Sequence, residues 1–177
     1  MFDQPFSYDG TTFKTADSVP LEHWRWPNFT PAELACKGTG KVMIDERSLD
    51  LLQSLRTMLG KPIYVNSAYR SPKHNKAVGG ASQSQHKLAR AYDVDMKNHD
   101  PSNFESMARG AGFTGFGFYP PKPNGGHNFI HVDTGPAREW GQRWLPEGPP
   151  IPTAPEPLEA APKTSPKKRR RRRKFGG

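Results

Sequence analysis

Two histidines and an aspartate stand where two strands and a loop could bring them together. His86 closes a polar loop, Asp93 lies seven positions later inside the alternating run Ala91-Tyr92-Asp93-Val94-Asp95-Met96, and His131 is central in Phe129-Ile130-His131-Val132-Asp133. Side chains alternate faces along a strand, so antiparallel neighbours would set Asp93 beside His131, with the loop folding His86 over both. Two imidazoles and one carboxylate, with a fourth position left to water, form the donor set of a catalytic zinc site. Such an ion polarises a carbonyl and lowers the pKa of water toward 7. The single cysteine, Cys36, excludes an intrachain disulfide and a thiolate-rich site. Spacing alone leaves a second reading open. One H-x₆-D pair among six histidines also fits packed or surface histidines and a salt-bridge aspartate.

The elements that must position these groups are legible from caps and periodicity. Thr30, Pro31 and Glu33 predict a helix start with a capping box, and Lys37-Gly38-Thr39-Gly40 ends that short helix. Asp45 caps a longer helix in which Leu49, Leu52, Leu55 and Leu59 recur before Gly60. Strands are expected at 62–66, 91–96, 113–119 and 129–133, and a helix over 101–110. The stretch from Lys73 to Ser84 reads as a short helix and a loop. These elements predict a small α+β domain, with a mainly antiparallel sheet and helices packed on one side. His74 and His99 fall in polar segments and are expected to be solvated. Phe116, Phe118, Tyr119, Trp140 and Trp144 read as packing residues, with Tyr119 and Trp140 also able to wall a cleft.

Composition divides the 177 residues into four parts: an N-terminal surface arm (1–23), a folded domain (24–144), a Pro/Ala-rich spacer (145–166) and a basic, disordered tail (167–177). After Leu145 there are nine basic and three acidic residues, so six of the net +9 charges belong there and the domain is only mildly basic. Eight consecutive positive charges, Lys167 to Lys174, should bind a dense polyanion: anionic lipid, lipopolysaccharide or nucleic acid. The first residues, MFDQPFSYDGTTFK, lack the basic and apolar regions of a secretory signal, and no run is long enough to span a bilayer. Synthesis in the cytoplasm followed by release, or carriage in a virion, is the expectation.

A wider set of motifs narrows the chemistry. Ser67-Ala68-Tyr69-Arg70-Ser71-Pro72-Lys73-His74-Asn75, Val78-Gly79-Gly80-Ala81, Ser84-x-His86 with Ala91-x-Asp93, and Phe129-Ile130-His131-Val132-Asp133 occur in one order. In these motifs, from about Phe29 to Trp144, the chain resembles the M15 peptidases. This zinc D-alanyl-D-alanine carboxypeptidase family shares its fold with the signalling domain of hedgehog proteins. The resemblance implies Zn²⁺ held by His86, Asp93 and His131, and an oxyanion-stabilising role for Arg70. Two departures stand out. Ala89 replaces a family glycine. The positions from which relatives supply a general base, a Glu three or a His two before the last ligand, hold Asn128 and Phe129. The nearest substitutes are His127, after Gly125-Gly126, and Asp133, which could instead orient His131.

The resemblance implies a monomeric metallopeptidase acting on the peptidoglycan stem peptide. It would be a D-Ala-D-Ala carboxypeptidase or an L-Ala-D-Glu endopeptidase, the latter favoured because it breaks cross-linked wall, and the missing secretory signal fits a phage or prophage lysin or a virion-associated hydrolase. The missing base residues support the alternative of a non-catalytic wall-binding or virion module that keeps the zinc site. A nucleic-acid-binding protein would rest on the tail alone.

Overall fold

Local signals set the ends of the elements in this computed structural model, which describes residues 6–144. After a two-residue strand β1 (Thr12–Phe13), Thr30 caps α1 (Pro31–Leu34). The Glu33 carboxylate accepts the Thr30 N–H at 2.8 Å, closing the capping box. β2 (Val42–Met43) pairs antiparallel with β1. The Asp45 carboxylate accepts the Ser48 N–H at 2.9 Å and caps α2 (Glu46–Leu59). Gly60 ends that helix in the left-handed region, φ 63°. β3 (Val65–Ser67) is followed by α3 (Pro72–Ala77), with Ser71 as its cap. A 3₁₀ turn (Gln85–Leu88) then leads into β4 (Ala91–Asp95). The helix α4 (Pro101–Ala111) and the strands β5 (Gly115–Tyr119), β6 (Phe129–Asp133) and β7 (Arg138–Gly141) complete the described chain.

The main sheet has the order β3-β4-β6-β5-β7, antiparallel throughout except that β7 runs parallel to β5. The fold is therefore α+β with a mainly antiparallel sheet, as expected. Alternation divides its strands between two faces. Tyr92, Val94, Ile130, Val132, Phe116 and Phe118 are buried in one core with Leu49, Leu52 and Leu55 of α2 and Phe104 and Ala108 of α4. Each fully buried Leu or Phe there contributes about 1.5–3 kcal/mol. The intervening residues Asp93, Phe129 and His131 line a cleft.

Three local outcomes differ from the expectations. Residues 6–23 are anchored rather than laid over the surface, because Tyr8 and Val19 belong to the core and the Tyr8 hydroxyl donates to the Pro20 carbonyl. His99 is buried, not solvated; its Nε2 bonds the Pro62 carbonyl at 2.9 Å and its ring packs on Phe104. The strand β7 was not foreseen. The spacer and basic run expected after Leu145 lie outside the described residues.

Candidate metal centre

One row across the sheet builds the site. Asp93 of β4 is directly opposite His131 of β6, His131 opposite Gly117 of β5, and Gly117 opposite Trp140 of β7. His86 enters from the 3₁₀ turn, whose last turn closes on Ala89 in the left-handed region, φ 56°. A glycine adopts that conformation freely, whereas an L-residue gives up about 1–2 kcal/mol, which is the physical content of the Ala-for-Gly departure.

The three expected ligands converge. His86 Nε2 and Asp93 Oδ1 are 3.2 Å apart, His86 Nε2 and His131 Nδ1 3.2 Å, and His131 Nδ1 and Asp93 Oδ1 2.9 Å. All three residues are buried. The far nitrogen of each ring is held. His86 Nδ1 lies 2.6 Å from the Ala68 carbonyl and His131 Nε2 2.9 Å from Asp133 Oδ2. With those two nitrogens donating, the lone pairs of His86 Nε2 and His131 Nδ1 meet the Asp93 carboxylate, so three acceptors face one another with no donor among them. Bonds of about 2.0–2.1 Å to a tetrahedral ion separate its ligand atoms by about 3.3 Å. The spacing here fits that ion.

The electrostatics follow from the contacts. Burial opposes ionisation of Asp93, yet His131 and His86, which donate to it when their rings are protonated, outweigh burial and hold the carboxyl far below the usual range. Burial pushes His86 down, with Asp93 opposing. Burial acts on His131 in the same sense, but bonds to Asp133 and Asp93 prevail and its pKa is raised above the ordinary 6.5. A group with a raised folded pKa contributes stability that is complete below its unfolded value and disappears as pH climbs through the folded one. The lowered His86 acts below 6.5 in the opposite sense. In chelator, therefore, the contribution of His131 to the melting temperature, read against His131→Ala, should fall as pH rises from about 6.5 through the raised value, while Cys36, lowered to about 7, acts in the opposite sense in both proteins. The increase in melting temperature on adding zinc should grow over the same interval, because deprotonated imidazole binds the ion. Melting curves at several pH values check both signs; a zinc effect that shrinks with pH would contradict this arrangement.

Arg70 is half-buried beside the cluster. Its Nε donates to Ser67 Oγ at 2.8 Å and one terminal nitrogen pairs with Asp93 Oδ2, the oxygen turned away from the histidines. The cleft has a volume of about 830 Å³, and Arg70, Tyr119, Phe129, Arg138 and Trp140 line it with the three ligands. Residues 78–81 and Ser84 also line it.

His127 and Asp133, the two candidates for proton transfer, do not line this cleft. His127 is exposed at φ 42°, its ring 5.9 Å from Tyr119 and 5.8 Å from Phe129, whose own rings stack at 4.4 Å. It lies on the rim, with Phe129 between it and His131 along the strand. Asp133 is fully buried behind His131, and both its oxygens are engaged, by His131, Arg138 and the Gly135 N–H. Asp95, on the face of Asp93, caps a turn by accepting the Lys97 N–H at 2.8 Å.

Sequence reasoning missed Arg138 and the Ala68 carbonyl. A signal for the former existed in Gly115-Phe116-Gly117-Phe118. Phenylalanines facing the core leave the glycines on the site face, and a Cβ at either would collide with a neighbour, the Asp133 carboxylate at Gly115 and the Trp140 indole at Gly117. Two missing side chains admit groups from β7.

The chain is 36% identical over 104 residues to the peptidoglycan L,D-endopeptidase MepK of Escherichia coli (strain K12), covering 55% of this chain and 54% of that protein, and equally to MepK of Shigella flexneri. It is 40% identical over 91 residues to the zinc D-Ala-D-Ala carboxypeptidase of Streptomyces albus G, covering 50% of this chain and 34% of that protein. The chain thus spans about half the length of the first of these relatives and a third of the second. Residues 27–133, which contain Arg70, His86, Asp93 and His131, match the family model described as Peptidase M15. With well over half its length under that model, the chain belongs to the peptidase M15 family.

Proposed function

We propose that this chain is a zinc-dependent peptidase hydrolysing a stem-peptide bond of bacterial peptidoglycan. The observation that carries the reading is the meeting of His86 Nε2, Asp93 Oδ1 and His131 Nδ1 at 2.9–3.2 Å in the wall of a cleft. The names of the MepK proteins and of the zinc carboxypeptidase support wall peptide as substrate. Zinc, when bound, supplies Lewis acidity toward a carbonyl and an acidified water.

The chain's own groups do the rest. Arg70, fixed by Ser67 and Asp93, offers its remaining N–H groups to a substrate carbonyl on which negative charge develops. Asp133 orients His131 and has no free oxygen for the cleft. Proton transfer falls to His127, provided that the loop carrying Gly125 and Gly126 brings the imidazole inward over Phe129. The rim position of His127 is also the observation that favours the second reading, a wall-binding or virion module that holds zinc without turnover.

Between the two bond types, the pairing of Arg70 with Asp93 and of Arg138 with Asp133 favours an L-Ala-D-Glu endopeptidase over a D-Ala-D-Ala carboxypeptidase. Among the described cleft residues no other Lys or Arg remains for a terminal carboxylate. No helix of the described residues is long and apolar enough to cross a membrane. A role as a phage lysin or virion-associated hydrolase, acting as a monomer, belongs to the same proposal.

The test is digestion of purified peptidoglycan by the full chain, with the released fragments identified by mass spectrometry. Chelator should abolish release and zinc restore it, and new amino-terminal D-Glu would identify the endopeptidase. His127→Ala should lower the rate by about 10²–10⁴-fold. Zinc binding without digestion would leave the wall-binding module, and an undiminished His127→Ala would remove His127 as the base.

A further inference from the structure

We propose that Arg138 is a positioning residue for His131, acting through Asp133, so that β7 completes the metal centre from beyond the family-matched residues 27–133. The inference rests on the reading that His131 holds the ion.

A second row across the sheet lies beside the ligand row. Asp133 of β6 is opposite Gly115 of β5, and Gly115 is opposite Arg138 of β7. A Cβ at Gly115 would collide with both carboxylate oxygens of Asp133. Because that position is bare, the guanidinium of Arg138 reaches over β5 and grips Asp133 with both terminal nitrogens, Nη1 to Oδ1 at 3.0 Å and Nη2 to Oδ2 at 2.6 Å. The Gly135 N–H adds 2.7 Å to Oδ1, and Oδ2 accepts His131 Nε2 at 2.9 Å. Trp140, two residues along β7, stands 5.0 Å from the His131 ring. Through Asp133, β7 therefore supports the far nitrogen of the imidazole, and through Trp140 it stands beside its ring.

The energetics make Arg138 the indispensable member of that chain. Asp133 has no exposed surface, and a buried carboxylate is costly unless paired. Arg138, with 39% of its side chain exposed, forms the fork while keeping much of its own hydration. Without the fork, Asp133 keeps only one backbone donor besides His131. It then turns toward water, which loosens its hold on Nε2. Partners of metal-ligating histidines are worth about 10–100-fold in metal affinity.

The experiment measures zinc affinity of the full chain against a chromophoric chelator. Arg138→Ala and Arg138→Gln should each bind zinc about 10–100-fold more weakly. Arg138→Lys, which keeps the charge but not the fork, should fall between these and the unaltered chain. Asp133→Asn should weaken zinc similarly, and its combination with Arg138→Ala should lose little more, as expected for two members of one chain. At saturating zinc, hydrolysis by the Arg138 variants should recover with KM unchanged.

Unchanged zinc affinity in Arg138→Ala, or in Arg138→Lys should the alanine variant fail to fold, overturns the proposal. So does a raised KM at saturating zinc, which would make Arg138 a substrate contact, and so does a lower metal-free melting temperature with normal affinity. If the unaltered chain binds no zinc, the metal reading itself fails, a result distinct from any difference among the variants.

Discussion

Replacing His131 with alanine should lower the proposed peptidoglycan hydrolysis by about 10³-fold or more, since a zinc ion held there would contribute several kcal/mol to the barrier. The size of the effect comes from the position of this residue in the site. His131 Nδ1 is 2.9 Å from Asp93 Oδ1 and 3.2 Å from His86 Nε2, while its Nε2 engages Asp133. Alanine therefore removes a proposed ligand and also leaves the two buried aspartates with one partner fewer each. His86→Ala should be similar in activity, but milder in its effect on the metal-free fold, because the far nitrogen of His86 is held by a neutral carbonyl. Initial rates on purified wall, paired with zinc content per chain, check the result. A His131→Ala protein that retained a tenth of the activity would rule out this residue as a ligand.

Arg70→Ala should lower kcat by about 10²–10³-fold at saturating zinc, with a much smaller change in KM. Two of the five guanidinium donors are used within the chain, one on Ser67 and one on Asp93. Those contacts fix the plane of the group and leave the others for the proposed contact with a substrate oxygen whose charge would grow during attack. The split between kcat and KM follows, because a contact that strengthens only as charge develops is felt in turnover rather than in binding. Arg70→Lys should recover only part of the loss, since an ammonium cannot hold Ser67 and Asp93 and reach the substrate in one plane. Zinc affinity must be measured in parallel, as Arg70 neutralises the outer oxygen of Asp93. A loss that vanished on adding zinc would reduce Arg70 to a support for Asp93.

Much of this arrangement was legible along the chain. Thr30, Asp45 and Gly60 act where their short-range chemistry puts them, and the period-two runs at 91–95 and 129–133 separate the ligand face from the core face. That alternation is why Asp93 and His131 could be paired from order and spacing before any register was known, and the antiparallel pairing of β4 with β6 places them directly opposite. The anchoring of residues 6–23 was hidden, because Tyr8 and Val19 are isolated apolar residues in a polar segment and no periodicity marks them. His99 was misjudged for the same reason: its neighbours are polar, and only its distance to Phe104 and the Pro62 carbonyl reveals burial.

The site divides along the same line. By itself the sequence determined the donor types, their order and the alternation that sets two ligands on one face, since these depend on side-chain identity and backbone period alone. The tertiary structure decided which nitrogen of each imidazole faces the site, because the Ala68 carbonyl and the Asp133 carboxylate come from other parts of the fold. It also decided that His127 stands at the rim and that Asp133 is sealed behind His131. Finally, it brought β7 across Gly115 and Gly117 to grip Asp133 and flank His131. Those outcomes depend on gaps and contacts between strands far apart in sequence, which no local pattern records.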